Sequence, residues 1–502
     1  MNNSNTNTGG RVMIKKSIIL LFIIFILHST NFYSQEYLQK YYPEKDPLVL
    51  QKLEKWQDIK FGLLMHWGPY SQWGVVESWS ICAEDEDWCR RKIPNYDEYK
   101  RQYTELPKTF NPVKFDPTKW AKAAKEAGMR YVVFTTKHHD GFCMFDTKFT
   151  NYKITSSDCP FSLNPKANIA KEVFNAFRNE DFMIGAYFSK PDWHCEYYWW
   201  PNFATPDRNV NYDIPKYPDR WKKYVEFTHN QILELMTDYG RMDILWMDGG
   251  WVQKHSAEAI KQYYLEHPDS GKRLINQDID IAGLVKKVRE KQPGLIVVDR
   301  AVEGPFQNYL TPENQVPGKL LPYPWESCII MGGGWSYTFD AQYKNGNELV
   351  HLLVDIVSKG GNLLLNIAPS PEGTWDETAY ASLKQLGEWM KINSEAIYES
   401  RPFMPYRVEN ICFTKHKSNG NVYAIYLSKE NETNPPEIIE LKGIDIKPNS
   451  RVTLLGCSDE IQWKKEKQGF SISIPEKFRQ TPPCGYAWVI RISEQGNSRE
   501  KK

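Results

Sequence analysis

The chain has 502 residues, room for roughly two to four domains with a sizeable core, so it is no small disulfide-stapled module. Its 63 Lys and Arg against 62 Asp and Glu leave a net charge of +1, which with 41% hydrophobic and 25% charged residues excludes a disordered chain and disfavours a bulk nucleic-acid or polyanion binder. The unusual feature is an aromatic content of 14%, with 18 Trp and 29 Tyr; most such rings belong in cores, but flat amphipathic rings also suit the faces of sugars.

Residues 1–34 carry Arg11, Lys15 and Lys16, then the apolar run from Ile18 to Leu27, then Ser29, Thr30 and Ser34. This order of charged, apolar and small polar residues reads as a signal peptide. The run is about half of the roughly 20 residues a membrane-spanning helix needs, so the expected mature protein is exported, periplasmic or secreted, with no stable membrane insertion after signal removal. An uncleaved anchor is the alternative. Nine Cys are scattered along the chain, and of these Cys82 and Cys89 could close a small loop in an oxidising compartment.

From about residue 60 to 370, short apolar runs alternate with amphipathic stretches. The expected strands are 61–67, 131–139, 183–189, 243–249, 295–300, 327–332 and 362–369. Helical patterns at 119–128, 224–240 and 348–361 lie between them and run to a terminal Gly. Buried parallel strands with helical crossovers imply a (β/α)8-like, TIM-type barrel over residues 35–400. After the helical stretch SLKQLGEWMKINSEAIY the chain becomes Pro-rich and alternating. Runs at 422–428, 450–456, 470–475 and 486–492 predict a small antiparallel β-sandwich over 401–493, with a polar tail at 494–502.

Polar groups gather at one end of successive strands: His66 and Trp67, then His138, His139 and Asp140, then Asp248, then Asp299 and Arg300. In a barrel these C-terminal strand ends form the active-site mouth. Carboxylates, imidazoles, a guanidinium and tryptophans together suit a neutral polyhydroxylated ligand, which points to glycoside chemistry. Cleavage of a glycosidic bond takes one carboxyl group to protonate the leaving oxygen and another to act at the anomeric carbon. Asp248, with Trp246 beside it to limit solvation, is the strand-end candidate for the second; Glu303, Glu313 and Glu326 are the candidates for the first.

Two other readings compete. A metal-dependent hydrolase is suggested by His66, His138, His139, Asp140, His194 and Cys195, but no zinc-type ligand spacing occurs, and neighbouring residues in a strand, as His138 and His139 are read here, point to opposite faces. No metal or cofactor is therefore expected. A non-catalytic carbohydrate-binding barrel is the second rival, and the presence of both Asp248 and a candidate acid argues against it.

The segments FGLLMHWGPYS, TTKHHDGFCMFDTKFTNY, GAYFSKPDW, DILWMDGGW, DRAVEGPFQNYLTPEN, PWESC, GGGWSY and LVDIVSKGGNLLLNIAPSPEG resemble, in this order, the exported α-L-fucosidases of glycoside hydrolase family 29. The resemblance runs from about residue 45 to 405, and the weaker match beyond is consistent with that family's C-terminal β-sandwich. It implies an exo-acting, retaining enzyme that hydrolyses terminal α-L-fucosyl residues of glycans through a covalent fucosyl-Asp intermediate. It assigns Asp248 as nucleophile and, through Thr311-Pro312-Glu313, selects Glu313 as acid/base. It also places His66, His138, His139, Tyr187, Trp246 and Arg300 in the sugar pocket, with Glu77 as a further hydroxyl ligand and Trp335 over the C5 methyl of fucose. On this reading Glu313 lies buried near Asp248. The stretch from Ser78 to Glu105 departs from the family pattern and leaves linkage preference open.

Overall fold

Runs of apolar residues this short can be buried on both faces only as central strands of a covered sheet. In the computed structural model, which describes residues 39–84, 89, 91–269 and 271–494, seven of them form one parallel sheet. These are β1 (Phe61–Met65), β2 (Tyr131–Lys137), β3 (Met183–Ser189), β4 (Ile244–Asp248), β5 (Ile296–Asp299), β6 (Glu326–Ile330) and β7 (Asn362–Asn366), in the order β5-β4-β3-β2-β1-β7-β6. The signal-type segment and the tail beyond Glu494 lie outside the described residues. Among the described residues no helix is long and apolar enough to cross a membrane.

The sheet curls into a barrel, and among the described residues no regular strand closes it. Residues 306–314 fill the gap between β5 and β6. On one side Asp299 N donates to Phe306 O and Asn308 N to Val297 O, each at 2.9 Å; on the other Glu326 N donates to Leu310 O at 2.8 Å and Asn314 N to Cys328 O at 2.9 Å. The expected (β/α)8-like barrel is thus seven strands and one irregular stave. Its lower end is plugged by the helix Pro47–Ile59, N-capped by the Asp46 carboxylate; Trp56 from this helix stacks on Tyr309 at 4.0 Å inside the lumen. The crossover helices Pro117–Glu126, Pro218–Asp238 and Gly346–Ser358 each end two residues before a glycine, Gly128, Gly240 and Gly360, with φ of 97°, 77° and 88°.

One strand boundary differs in a way that matters. The run 131–139 was expected to be strand throughout, yet β2 stops at Lys137, and Gly141 N donates to His138 O at 3.1 Å to make a turn. His138 and His139 therefore escape the alternation that would have sent their rings to opposite faces.

Beyond the helix Glu377–Asn393 two antiparallel sheets follow. The larger contains β8 (Ser400–Val408), β9 (Ile411–His416), β10 (Val422–Leu427), β12 (Ser450–Leu454) and β15 (Ala487–Glu494), and the smaller β11 (Ile438–Lys442), β13 (Trp463–Glu466) and β14 (Gly469–Ser473). Phe413, Val452, Trp488 and Ile490 of the first share a core with Leu441, Phe470 and Ile472 of the second, which makes a sandwich. Trp389 Nε1 donates to Ala487 O at 2.9 Å and ties the sandwich to the barrel. Cys82 and Cys89, which could have closed a loop, are not joined to each other by a disulfide.

Candidate active site

A cavity of about 410 Å³ opens at the C-terminal ends of the barrel strands, lined among others by His66, Glu77, His138, His139, Trp246, Asp248, Arg300, Glu313 and Trp335. The strands bring these residues together from across some 270 positions of sequence. Tyr187 of β3 reaches the same site from below through its hydroxyl.

Asp248 ends β4. The next residue, Gly249, has φ of 91°, and a Cβ there would stand 2.3 Å from Pro191 Cδ, so only glycine lets the chain leave the strand along this path. One carboxylate oxygen of Asp248 accepts from Tyr187 Oη at 2.7 Å, and the other from Arg300 Nη1 at 3.0 Å. Burial alone would raise its pKa, but the Arg300 charge and the Tyr187 hydrogen bond hold the carboxyl well below the usual carboxylate range. It is ionised at any working pH. The second arm of Arg300 grips Glu313 Oε2, and Trp335 Nε1 donates to Glu313 Oε1 at 3.0 Å. One guanidinium thus spans both carboxyl groups and keeps them a short reach apart. Glu313 is not buried as expected: its side chain is 43% exposed, because it stands on the irregular stave and leans over the mouth.

The other two candidate acids are placed elsewhere. Glu303 lies on the surface and accepts from Lys40 N at 3.1 Å. Glu326 is fully buried in the barrel lumen beneath the pocket, where Trp246 Nε1 donates to it at 3.3 Å.

The three imidazoles are buried and neutral. Burial pulls the pKa of His66 down to about 4 and that of His139 to about 3, and pushes His138 well below its ordinary value. Their tautomers follow from their partners. His66 Nδ1 lies 2.9 Å from the Asn366 side-chain carbonyl, whose amide nitrogen donates to Trp335 O at 2.8 Å; Nδ1 therefore carries the proton and Nε2 is an acceptor. The Ser189 hydroxyl gives its one proton to Pro191 O at 2.7 Å and so accepts from His139 Nδ1 at 2.6 Å, which likewise leaves His139 Nε2 an acceptor. His138 Nδ1 is bonded to Ser78 Oγ.

The rings of His138 and His139 lie 4.1 Å apart, so the argument that they face away from each other fails, and with Asp248 they offer three donor atoms within 4.8 Å. The donor set is nonetheless a poor cation site. Asp248 already has one oxygen on Tyr187 and the other on a guanidinium whose charge would repel a metal ion.

Glu77 is 2% exposed, and its Oε1 accepts from Ser336 N at 2.8 Å. Burial, opposed by that bond and reinforced by the nearby Glu313 and Asp248 charges, raises its carboxyl to about 8. At neutral pH it is a protonated donor among acceptors. The folded state keeps a proton that the unfolded chain gives up between the ordinary value near 4.5 and about 8, so this group's contribution to stability is complete at acid pH and falls as pH rises through that window. Glu77→Gln removes the dependence. The unfolding free energy of the wild type relative to the variant, measured by denaturant melts, should decline between pH 5 and 8 with a slope approaching ~1.4 kcal/mol per pH unit; parallel curves would show that Glu77 ionises normally.

Trp79, Arg208 and Trp251 also line the cavity, and the guanidinium of Arg208 lies 4.6 Å from the Trp79 ring centroid. These three, and the supporting Ser78, Ser189, Ser336 and Asn366, were not singled out from sequence. Asn366 closes a strand-end pattern that could have flagged it; the lone serines carry no such signal.

Two carboxyl groups held over a pocket of neutral imidazoles, at the mouth of a (β/α) barrel, are the arrangement of a glycoside hydrolase. The α-L-fucosidase family model matches residues 29–395, and that of the α-L-fucosidase C-terminal domain matches residues 406–493. The chain belongs to the α-L-fucosidase family. It is 28% identical over 480 residues to the plasma α-L-fucosidase of Homo sapiens, covering 90% of this chain and 92% of that protein. Among solved structures, α-L-fucosidase isoenzyme 1 from Paenibacillus thiaminolyticus is 27% identical with a TM-score of 0.69, covering 89% of this chain and all of that one. The α-fucosidase of Thermotoga maritima, solved with a mechanism-based inhibitor, is 26% identical with a TM-score of 0.67 and coverage of 91% and 100%.

Proposed function

We propose that the protein is an exo-acting, retaining α-L-fucosidase that removes terminal α-L-fucosyl residues from oligosaccharides or glycoconjugates, and that it is exported through its signal-type segment. The observation that carries this reading is the single guanidinium of Arg300 bridging Asp248 and Glu313. A short span between the two groups suits double displacement, whereas inversion needs room for a water, with carboxyl groups ~6.5 to 9.5 Å apart. Asp248, ionised and aimed by Tyr187 and Arg300, attacks the anomeric carbon. Glu313 turns from Arg300 to protonate the departing oxygen, then takes a proton from the water that releases fucose from Asp248. His66 and His139 accept hydrogen bonds from sugar hydroxyls through Nε2, protonated Glu77 donates one, and Trp246 and Trp335 cover the apolar faces.

The test is release of nitrophenol and free fucose from nitrophenyl α-L-fucoside, with the first-formed sugar followed by NMR. The α anomer is expected first; β-fucose first would overturn the retaining mechanism. A panel of α1,2-, α1,3-, α1,4- and α1,6-linked oligosaccharides then sets the linkage.

Trp335 supplies a sharper test because it does two things: it walls the pocket and it donates to Glu313. L-Galactosides, which carry a hydroxyl where fucose has its methyl hydrogen, should turn over ~10- to 200-fold more slowly than fucosides. Trp335→Ala should narrow that gap, while Trp335→Phe should keep the ratio and lower both rates by up to about tenfold through loss of the N–H. The kcat/KM values of both aryl glycosides on the three proteins decide it; an unchanged ratio in the Ala variant removes Trp335 from the methyl site.

A further inference from the structure

Glu326 begins β6, and its side chain is fully buried in the barrel lumen. Its Oε1 accepts from Trp246 Nε1 at 3.3 Å, and its Oε2 lies 2.7 Å from the Tyr131 hydroxyl, which is also 3.4 Å from Leu363 O. The titratable groups around it, Tyr131 from β2, Tyr309 from the closing stave and Cys328 from its own strand, carry no positive charge, and burial raises its carboxyl to about 8. The Tyr131 hydroxyl donates to Oε2 and the indole to Oε1, so each carboxyl oxygen has one neutral donor, and the Tyr131 hydroxyl can instead turn to Leu363 O when an N–H faces it.

That indole is a structural member of the site above it. The Trp246 ring stacks on Tyr187 with centroids 5.3 Å apart and planes at 22°, and the Arg300 guanidinium lies 5.6 Å from its centroid. Tyr187 and Arg300 are the two groups that grip Asp248. The acceptor that fixes Trp246 therefore sits three contacts from the Asp248 carboxylate, on the side of the barrel away from the sugar.

We propose that Glu326 is a positioning residue: through the indole of Trp246 it sets the Tyr187 and Arg300 donors that aim Asp248. The proposal rests on the reading of Asp248 as nucleophile. A buried indole N–H left without this acceptor is costly, so loss of Glu326 tips the ring toward another partner, and Tyr187 follows.

The experiment compares Glu326→Gln with Glu326→Met on nitrophenyl α-L-fucoside, with circular dichroism and melting curves on each. Gln keeps an oxygen for Trp246 and an N–H for Tyr131, and should hold kcat within about threefold of wild type. Met has similar length and no acceptor, and should lower kcat by about tenfold or more with KM changed less than about threefold. If the Met variant does not fold, Glu326→Asp decides in its place, because one methylene less withdraws the oxygen from the indole; the same fall in kcat is expected. A folded Met or Asp variant with wild-type kcat, a loss confined to KM, or a Gln variant as damaged as Met overturns the role. Azide rescue of Asp248→Gly tests the nucleophile separately: if rescue succeeds while Glu326→Met is unimpaired, only the role of Glu326 falls.

Discussion

Asp248→Gly should lower kcat on aryl α-L-fucosides by roughly four or more powers of ten, and added azide should restore part of it while forming β-L-fucosyl azide. The structure gives both halves of this result a cause. Without the carboxylate nothing is placed to attack the anomeric carbon, and the acid alone cannot carry a double displacement. The space vacated lies between the Tyr187 hydroxyl and Arg300 Nη1, two donors already directed at an anion, so a small anion can occupy it. Attack from there inverts the anomeric centre once, which fixes the β configuration of the azide. Arg300 keeps Glu313 as a partner, so the variant retains a compensated guanidinium and should fold. Product analysis by NMR checks the outcome; a variant that remains active without azide removes Asp248 from the role.

Glu313→Ala should cost roughly 100-fold or more on substrates with poor leaving groups, and much less on dinitrophenyl fucoside, whose leaving group departs without a proton. Deglycosylation also loses its base, so with the activated substrate the slow step becomes hydrolysis of the fucosyl enzyme. Azide, which needs no base, should then accelerate turnover and give the α-fucosyl azide, the opposite anomer to that formed by the Asp248 variant. The contrast separates the two carboxyl groups with one reagent. Equal losses on both leaving groups would return the acid role to another residue, although neither Glu303 on the surface nor Glu326 in the lumen is placed to take it.

The catalytic strands were readable because a parallel strand buried on both faces is an unbroken apolar run, and its polar end is the mouth of the barrel. His66, Asp248 and Arg300 are of this kind. What blurred was where strand gives way to turn: KHH looks like more of YVVFTT, and only the turn after Lys137 shows that both rings enter the pocket. The stave at 306–314 has no period to detect, since its hydrogen bonds go to β5 with its first residues and to β6 with its last. In the sandwich, β8 carries Pro402 and Pro405 and survives because it is an edge strand, where an absent N–H costs no ladder bond. β13, with the exposed Lys464, Lys465 and Glu466, lacks the apolar alternation that marked its neighbours.

The irregular stave has an evolutionary consequence. Asp248 belongs to a regular strand bonded on both sides, so its position is shared property of the whole barrel and can hardly drift. Glu313 stands on a stretch outside any ladder, next to a wall of Arg300 and Trp335 that is specific to this corner. Substitutions or small insertions there can re-aim proton delivery toward differently linked aglycones while the fucose pocket stays as it is. Linkage preference can thus diverge among relatives at little cost to the fold, and laboratory diversification aimed at new glycan linkages is best confined to this corner and to the divergent loop after β1.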